Sequence, residues 1–189
     1  DGGDVVVNST GDIVINAVGG MGIFAQSVGG GGGLYGSGIG LGFIGSFGND
    51  GVAGSVTVNH TGNVVATGQN GIAAVFQSAA KDGVGDITAV LNGHFRGGSV
   101  YGRGIFIDGG ADNTLTINGS ASAVSNLAIE GTTGNDTVIN NGLVVGNVIS
   151  TFGPPLPVAW SDPGAAQLVP GIGEQQDGVA WDVNNSGQL

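Results

Sequence analysis

Four residues near the middle of the chain have the types and the spacing that acid–base chemistry requires. They are Arg103, Asp108 and Asp112, with His94 shortly before them. Carboxylates set beside a cation are the groups that polysaccharide lyases and hydrolases use to cleave sugar chains. The run Asp108-Gly-Gly-Ala-Asp112 is also a favoured turn sequence, because aspartate and glycine both suit tight turns. We favour the turn, and we predict that the protein is not an enzyme.

A possible calcium site lies further along, at Gly131-Thr-Thr-Gly-Asn-Asp-Thr-Val-Ile. This run partly matches the nonapeptide whose stacked copies bind calcium through oxygen ligands, and Asp136 would be the ligand. A single imperfect copy, with Thr132 in place of a glycine, favours a structural turn. His60 replaces Ser9 of an earlier repeat, which indicates a solvated turn position and not a metal ligand. We therefore predict no metal and no cofactor.

The many asparagines and threonines raise two further possibilities, glycosylation and ice binding. Four Asn-x-Ser/Thr sequons begin at Asn8, Asn59, Asn118 and Asn135. Asn8 and Asn59 occupy equivalent repeat positions, which favours asparagines stacked and hydrogen-bonded along the molecule over glycosylation. Ice binding by a β-solenoid requires threonines at matched positions, and at the offset of the repeat these do not match: Thr57, Thr88, Thr114 and Thr116. We therefore predict no ice-binding face.

Composition restricts the partners of the chain. Its 189 residues include 42 glycines, and 14 acidic side chains stand against 3 basic ones. The net charge of -11 argues against nucleic acid and anionic membranes, because phosphate binding requires clustered lysine and arginine. The lack of cysteine fits a chain exported unfolded across a periplasm. We expect an extracellular location and no membrane insertion by this chain, since no glycine-poor apolar stretch is long enough to span a bilayer.

An internal repeat organises the first half of the chain. Residues 5–16 align with residues 56–67 at a constant offset of 51, and weaker strand–Asn/Gly–strand units follow at 87–95, 115–124 and 137–148. Alternating valine, isoleucine and threonine predict strands, and the Asn-Gly pairs predict tight turns. Strands of this spacing favour a parallel β-helix (solenoid), whose coils stack their inward aliphatic side chains. A sandwich or a hairpin barrel is the competing all-β fold.

Two segments depart from the repeat. We predict a β-helix domain of residues 1–151, which contains a glycine-rich loop insertion at residues 29–51. Residues 152–189 follow it as an irregular tail. The tail holds all five prolines and both tryptophans. Since proline cannot donate to a sheet ladder, we predict a cap or docking arm and not another coil. The apolar side chains of the two segments are the predicted partner-binding residues: Leu34, Tyr35, Ile39, Leu41, Phe43, Ile44, Phe47, Trp160 and Trp181.

The arrangement of the glycine-rich insertion stays open at this point. Its apolar side chains stand among glycines, which allow close approach to another molecule, and an exposed apolar patch usually marks a binding surface. The alternative is that the insertion folds back and covers the flank of its own β-helix.

The repeats also carry a family resemblance. Gly22-Ile-Phe-Ala-Gln-Ser-Val-Gly-Gly-Gly-Gly-Gly, its copy Gly71-Ile-Ala-Ala-Val-Phe-Gln-Ser, and Ser55-Val-Thr-Val-Asn-His-Thr-Gly-Asn-Val resemble coil segments of autotransporter passengers and related glycine-rich surface adhesins of Gram-negative bacteria. The resemblance covers roughly residues 1–150. It implies a right-handed β-helix held outside the cell by a separate outer-membrane barrel, with adhesion or aggregation as its role.

Composition, repeat and resemblance together predict a non-enzymatic extracellular stalk or adhesin module of a bacterial surface protein. It would contact a host cell, a neighbouring cell or copies of itself through weak multivalent contacts. The alternative is a structural protomer of an extracellular filament or surface coat. In that case the tail, residues 152–189, would dock on a neighbouring copy to form a homo-oligomer.

Overall fold

A computed structural model describes residues 1–31 and 49–150, together with the backbone of three short strands outside those ranges. These residues form β-strands and turns, and the described part contains no helix. In chain order the strands are β1 (Val5–Thr10), β2 (Ile13–Ile15), β3 (Met21–Val28), β4 (Leu34–Tyr35), β5 (Ile44–Gly45), β6 (Val56–Thr61), β7 (Val64–Ala66), β8 (Ile72–Ala79), β9 (Ile87–Asn92), β10 (His94–Gly97), β11 (Arg103–Gly109), β12 (Asp112–Ile117), β13 (Ser120–Gly131), β14 (Asn135–Asn140), β15 (Leu143–Ser150) and β16 (Val158–Trp160).

Two large sheets contain all of these strands except β4 and β5. The first sheet has the order β1-β6-β9-β12-β14-β16, and the second has the order β2-β7-β10-β13-β11-β8-β3, with β15 beside β13. Every strand pair in both sheets is parallel. The predicted all-β class with parallel strands is therefore confirmed, and the hairpin alternative, which needs antiparallel neighbours, is wrong.

The chain contributes strands to the first sheet and then to the second, and it repeats this order five times. We call each repetition a pass. Each of the first three passes adds one strand to the first sheet, then a short and a long strand to the second. The first three passes are β1–β3, β6–β8 and β9–β11. The last two passes are β12–β13 and β14–β15, in which a single strand of the second sheet takes the place of the short and the long strand. The predicted offset of 51 is confirmed as a strand register, because Val5 pairs with Val56 and Thr10 with Thr61.

The core lies between the two sheets and is built from side chains stacked in register. Val58, Ala89, Leu115 and Val138 form one inward column of the first sheet, and all four are buried. Their sequence neighbours point to water, so the strands follow the two-residue period of a half-buried sheet. Full burial of each large aliphatic side chain contributes about 1.5–3 kcal/mol, which makes these columns the main source of stability.

Strand β8 differs because both of its faces are buried. Its inward Ala74 and Phe76 belong to the main core, whereas Ile72 and Val75 form a second apolar cluster with Phe106 on the other side. A strand buried on both faces loses the alternating pattern and reads as a continuous apolar run. The long strands of the second sheet are therefore covered on their outer side, while the first sheet is solvated there.

One corner of the passes consists of stacked glycines. Gly93 has a φ of 153°, and a Cβ built on it would lie 1.9 Å from the carbonyl oxygen of Gly62 in the pass below. Successive passes can approach this closely only because no side chain intervenes. The Asn-Gly pairs predicted to be turns lie here, and the amide of Asn118 donates to Asn92 Oδ1 at 2.7 Å.

The loop that joins the second sheet back to the first shortens over the first three passes. It spans residues 29–55 after β3, residues 80–86 after β8 and residues 110–111 after β11. The glycine-rich insertion lies in the longest of these loops, and β4 and β5 within it pair antiparallel. Its base is closed by a hydrogen bond of 2.8 Å from Asn49 N to Gly29 O.

Part of the proline-rich tail extends the first sheet. Val158–Trp160 pairs parallel with Val138, Ile139 and Asn140 of β14. The predicted cap or docking arm stays a prediction, and three of its residues add a strand to the first sheet. The physical reason is that Pro157 is the last proline before the strand, so Val158, Ala159 and Trp160 all keep the backbone N–H that a ladder requires.

Candidate functional surfaces

The predicted partner-binding residues fall mostly outside the described side chains. Leu34, Tyr35 and Ile44 belong to β4 and β5, and Trp160 belongs to β16, where the structure describes the backbone. Four residues of the insertion and one of the tail lie outside the described residues: Ile39, Leu41, Phe43, Phe47 and Trp181. Their role in binding therefore stays a prediction.

The four residues with acid–base chemistry are not brought together in one site. Arg103 forms an ion pair with Glu130 and lies over the ring of Phe106, with its guanidinium carbon 4.7 Å from the ring centroid. His94 Nδ1 is instead 2.8 Å from Ser120 Oγ, on an exposed strand. Each of these side chains is engaged with a neighbouring pass, which favours a structural role for both.

Asp108 and Asp112 also serve neighbouring passes. Gln77 Nε2 donates to Asp108 Oδ2 at 2.5 Å, and Thr132 Oγ1 donates to Asp108 Oδ1 at 2.9 Å. Asp112 Oδ1 accepts from Asn135 Nδ2 at 2.9 Å. Gly109 and Gly110 between them both have positive φ, as the turn interpretation expects. Within the described ranges no three His, Cys, Asp or Glu residues are close enough to share a metal ion.

His60 is the residue for which the sequence interpretation is wrong. It lies in β6 with 1 % of its surface exposed, and not in a solvated turn. Ser9 Oγ is 2.8 Å from its Nδ1, and the ring of Phe95 meets it edge-on. Its Nε2 has no hydrogen-bond partner. Burial lowers the pKa of His60, although Asp12 and the backbone of Gly62 partly oppose that shift.

Asp136, the predicted calcium ligand, also points into the core. It lies in β14, and its Oδ1 accepts from Asn113 Nδ2 at 2.6 Å. Its Oδ2 is buried without a partner. Desolvation raises the pKa of Asp136, and the hydrogen bond from Asn113 partly offsets the rise. An inward carboxyl that is shielded from solvent and already accepts from Asn113 is a poor calcium ligand, which supports the structural interpretation.

Stacked asparagines occur where the repeat predicts them. Asn59 Nδ2 donates to Asn8 Oδ1 at 3.0 Å, so the side chains hydrogen-bond along the stack as expected. A longer ladder runs along the corner of stacked glycines, from Asn141 to Asn118 and from Asn118 to Asn92, at 2.7 Å each. These amides link successive passes and are already engaged, which favours their structural role over glycosylation.

The threonine positions were misjudged from the sequence. Thr57, Thr88 and Thr114 do pair in register, and Thr137 continues the column. Thr116 lies in the adjacent outward column, beside Val90. The prediction of unmatched threonines is wrong because it relied on the offset of 51, whereas the passes differ in length. The outer side of the first sheet therefore carries a column of threonines beside a second column that contains Asn8, Asn59, Val90 and Thr116.

The other outward surface is apolar, and sequence reasoning missed it. We call it the short-strand face: the outer side of β2, β7 and β10, the first parts of β13 and β15, and the turns that follow these strands. Among the described residues, seven of the nine large apolar side chains that are exposed lie here: Val14, Val18, Val100, Tyr101, Val124, Leu143 and Val145. Tyr101 is 55 % exposed and Val14 is 67 % exposed.

Arg96 lies within the short-strand face. It pairs in register with Val65 on one side and Ser122 on the other, and its side chain is exposed. Lys81 pairs with Asp50 and Arg103 with Glu130, which leaves Arg96 as the basic side chain without an ion pair in the described part of the chain. The sequence did carry a signal for the short-strand face, because Val14 and Val65 match in the repeat. The two-residue alternation of a strand does not tell, however, which of its sides faces water.

Comparison with known proteins gives no relative. No family model matches the chain, and no curated protein and no solved structure matches it either. The resemblance to autotransporter passengers and glycine-rich adhesins therefore stays a prediction. A search of the described residues for a helix that could span a membrane also found none.

Proposed function

We propose that the chain is a right-handed parallel β-helix that acts as a non-enzymatic stalk or adhesin module on a bacterial surface. One observation carries the proposal: parallel strand pairing is kept through five passes, while the loop at one corner varies from two residues to the glycine-rich insertion. A constant scaffold with variable loops at one edge is typical of proteins that present loops to partners.

The contacts between passes support a structural module of this kind. Backbone ladders, stacked aliphatic side chains and asparagine ladders join each pass to the next. Such a stack is stabilised by nearest-neighbour contacts and needs no disulfide. It holds its outward surfaces and loops rigidly along one direction, which suits many weak contacts acting together. The partners would be a host surface, a neighbouring cell or other copies.

A bead assay tests the proposal. Beads coated with the full chain are compared with beads carrying a variant in which Leu34, Tyr35, Phe43 and Phe47 are changed to serine. We expect clumping or cell attachment to fall by about tenfold or more, because avidity multiplies each lost contact. Val6→Ser is the control, since it removes an exposed apolar side chain from the outer side of the first sheet. Unchanged attachment combined with a lower melting temperature would contradict the proposal and support an insertion that covers the scaffold.

A second function, the filament protomer, is favoured by the open edge of the first pass. Val5, Val7 and Ile13 point inward but are only half-buried, because β1 and β2 have a neighbouring strand on one side. An unpaired edge of a parallel sheet is a template for another strand. Another copy stacking on this edge would bury these side chains and continue the register.

The open edge can be blocked without disturbing the fold. Val5 N donates to Ser55 O at 2.8 Å, so the N–H of Val6 points the other way, towards the open edge. Val6→Pro removes that donor and should abolish concentration-dependent assembly in sedimentation velocity, since proline is tolerated at such a position. Val6→Thr keeps the N–H and should assemble like the parent chain. Equal assembly of the two variants would contradict edge stacking.

A further inference from the structure

We propose that the C-terminal residues 161–189 dock on the short-strand face of their own chain. The occupant must cover an apolar surface and supply a carboxylate to Arg96. The outer side of the long strand β8 is already buried, whereas the short-strand face of the same sheet is exposed. Exposed apolar patches of this kind mark binding surfaces, so the partner belongs on this half of the sheet.

The turn at Val100 supports a binding role for the face. Val100 has a φ of 61°, a conformation that β-branched residues rarely adopt. Among the residues that the structure describes, the other non-glycine residues with positive φ are Asn70 and Asn126, which tolerate it. A valine here is under backbone strain and places an exposed apolar side chain beside Tyr101. Stability alone does not explain this choice of residue, but a contact surface does.

Charge selects the occupant. A second copy that packed the same face about a two-fold axis would bring Arg96 towards its own equivalent, which is unfavourable. An acidic, apolar segment is complementary to the face. Residues 161–189 contain no basic side chain, and they carry four carboxylates and several large apolar side chains: Asp162, Glu174, Asp177, Asp182, Leu168, Val169, Ile172 and Trp181.

The length and starting point of the tail allow this contact. The described chain ends with β16, which pairs with β14 in the last pass. Residues 161–189 can extend over about 95 Å at roughly 3.3 Å per residue. Crossing the five strands of the short-strand face requires only about 20 Å at a spacing of roughly 4.8 Å. The tail can therefore turn around the last pass and run back along the face.

Tryptophan fluorescence tests the docking directly, because both tryptophans of the chain lie in the tail. Trp160→Phe leaves Trp181 as the single reporter in the full chain. We expect blue-shifted emission that acrylamide quenches poorly. Adding Arg96→Glu should shift the docking equilibrium by about tenfold or more and move the emission towards that of exposed tryptophan. Tyr101→Ser should act in the same direction.

Lys81→Glu is the matched control, because it makes the same change of charge at an exposed ion pair away from the face. It should leave the emission of Trp181 unchanged. Three results would overturn the proposal: exposed Trp181 in the Trp160→Phe chain, equal effects of Arg96→Glu and Lys81→Glu, or a blue shift that disappears on dilution. The last would mean that the tail binds a neighbouring copy.

Discussion

The outer faces of the two sheets are both built from parallel strands, but they carry different side chains. On the first sheet, Thr57, Thr88 and Thr114 form a column without charge. On the short-strand face, Arg96 lies among exposed apolar residues such as Val14. Since both faces are built on parallel backbone ladders, the identity of the outward side chains does not determine the fold. The comparison teaches that the inward columns and the corners maintain the passes, while the outward columns are free to serve contact.

The largest expected effect tests this division within one strand. Leu115 is fully buried in β12, and Thr114 beside it reaches solvent. Leu115→Ala should lower the free energy of unfolding by about 2–5 kcal/mol, because it leaves a cavity between the sheets. Thr114→Ala should change it by less than about 0.5 kcal/mol. Urea denaturation measures both, and similar losses for the two variants would refute the division.

Gly93, at the corner of stacked glycines, tests whether the backbone contacts between passes also maintain the fold. Gly93→Ala places a Cβ against the Gly62 carbonyl and should cost about 1–3 kcal/mol through strain and displacement of the passes. Gly3→Ala is the control, since no atom lies within 4 Å of its added Cβ. Thermal melts should show a lower melting temperature for Gly93→Ala than for Gly3→Ala. Equal melting temperatures would show that the passes can move apart at this corner without loss of stability.

The smallest expected effects come from two titratable groups in inward columns, His60 and Asp136, whose contributions to stability depend on pH in opposite directions. The folded pKa of His60 is lowered from 6.5. The unfolded chain therefore binds more protons as the pH falls through 6.5, and stability decreases there. The pKa of Asp136 is raised from 3.8. The folded chain then holds the proton longer, so stability decreases as the pH rises from 3.8 through the raised pKa.

Conservative variants separate these two groups. His60→Leu introduces the residue type that pairs in register with it, Leu91, and should remove the loss of stability below pH 6.5. Asp136→Asn keeps an oxygen for Asn113 and should remove the loss above 3.8. Urea denaturation across the pH range measures both slopes. A slope that persists in either variant would assign it to another group.

The sequence predicted the all-β class, the parallel register of the first two passes and the stacking of Asn8 on Asn59, because these repeat at one offset. Later residues were misjudged because hydrogen bonds between successive passes join residues 51, 31, 26 and 23 positions apart. A fixed offset therefore fails after the second pass. It placed the threonines out of register. His60 keeps the offset of 51 from Ser9 and was misread because period two does not tell which side of a strand faces the core.

What the sequence determined by itself is the period of the strands, the turn residues and the lack of clustered basic charge. These are local properties, since alternation and Asn-Gly pairs act over a few residues. Only the tertiary structure decided which side of each strand faces water, because period two is the same for both sides. It also decided which residues meet across passes, since loop length sets the register. The short-strand face exists only through that choice.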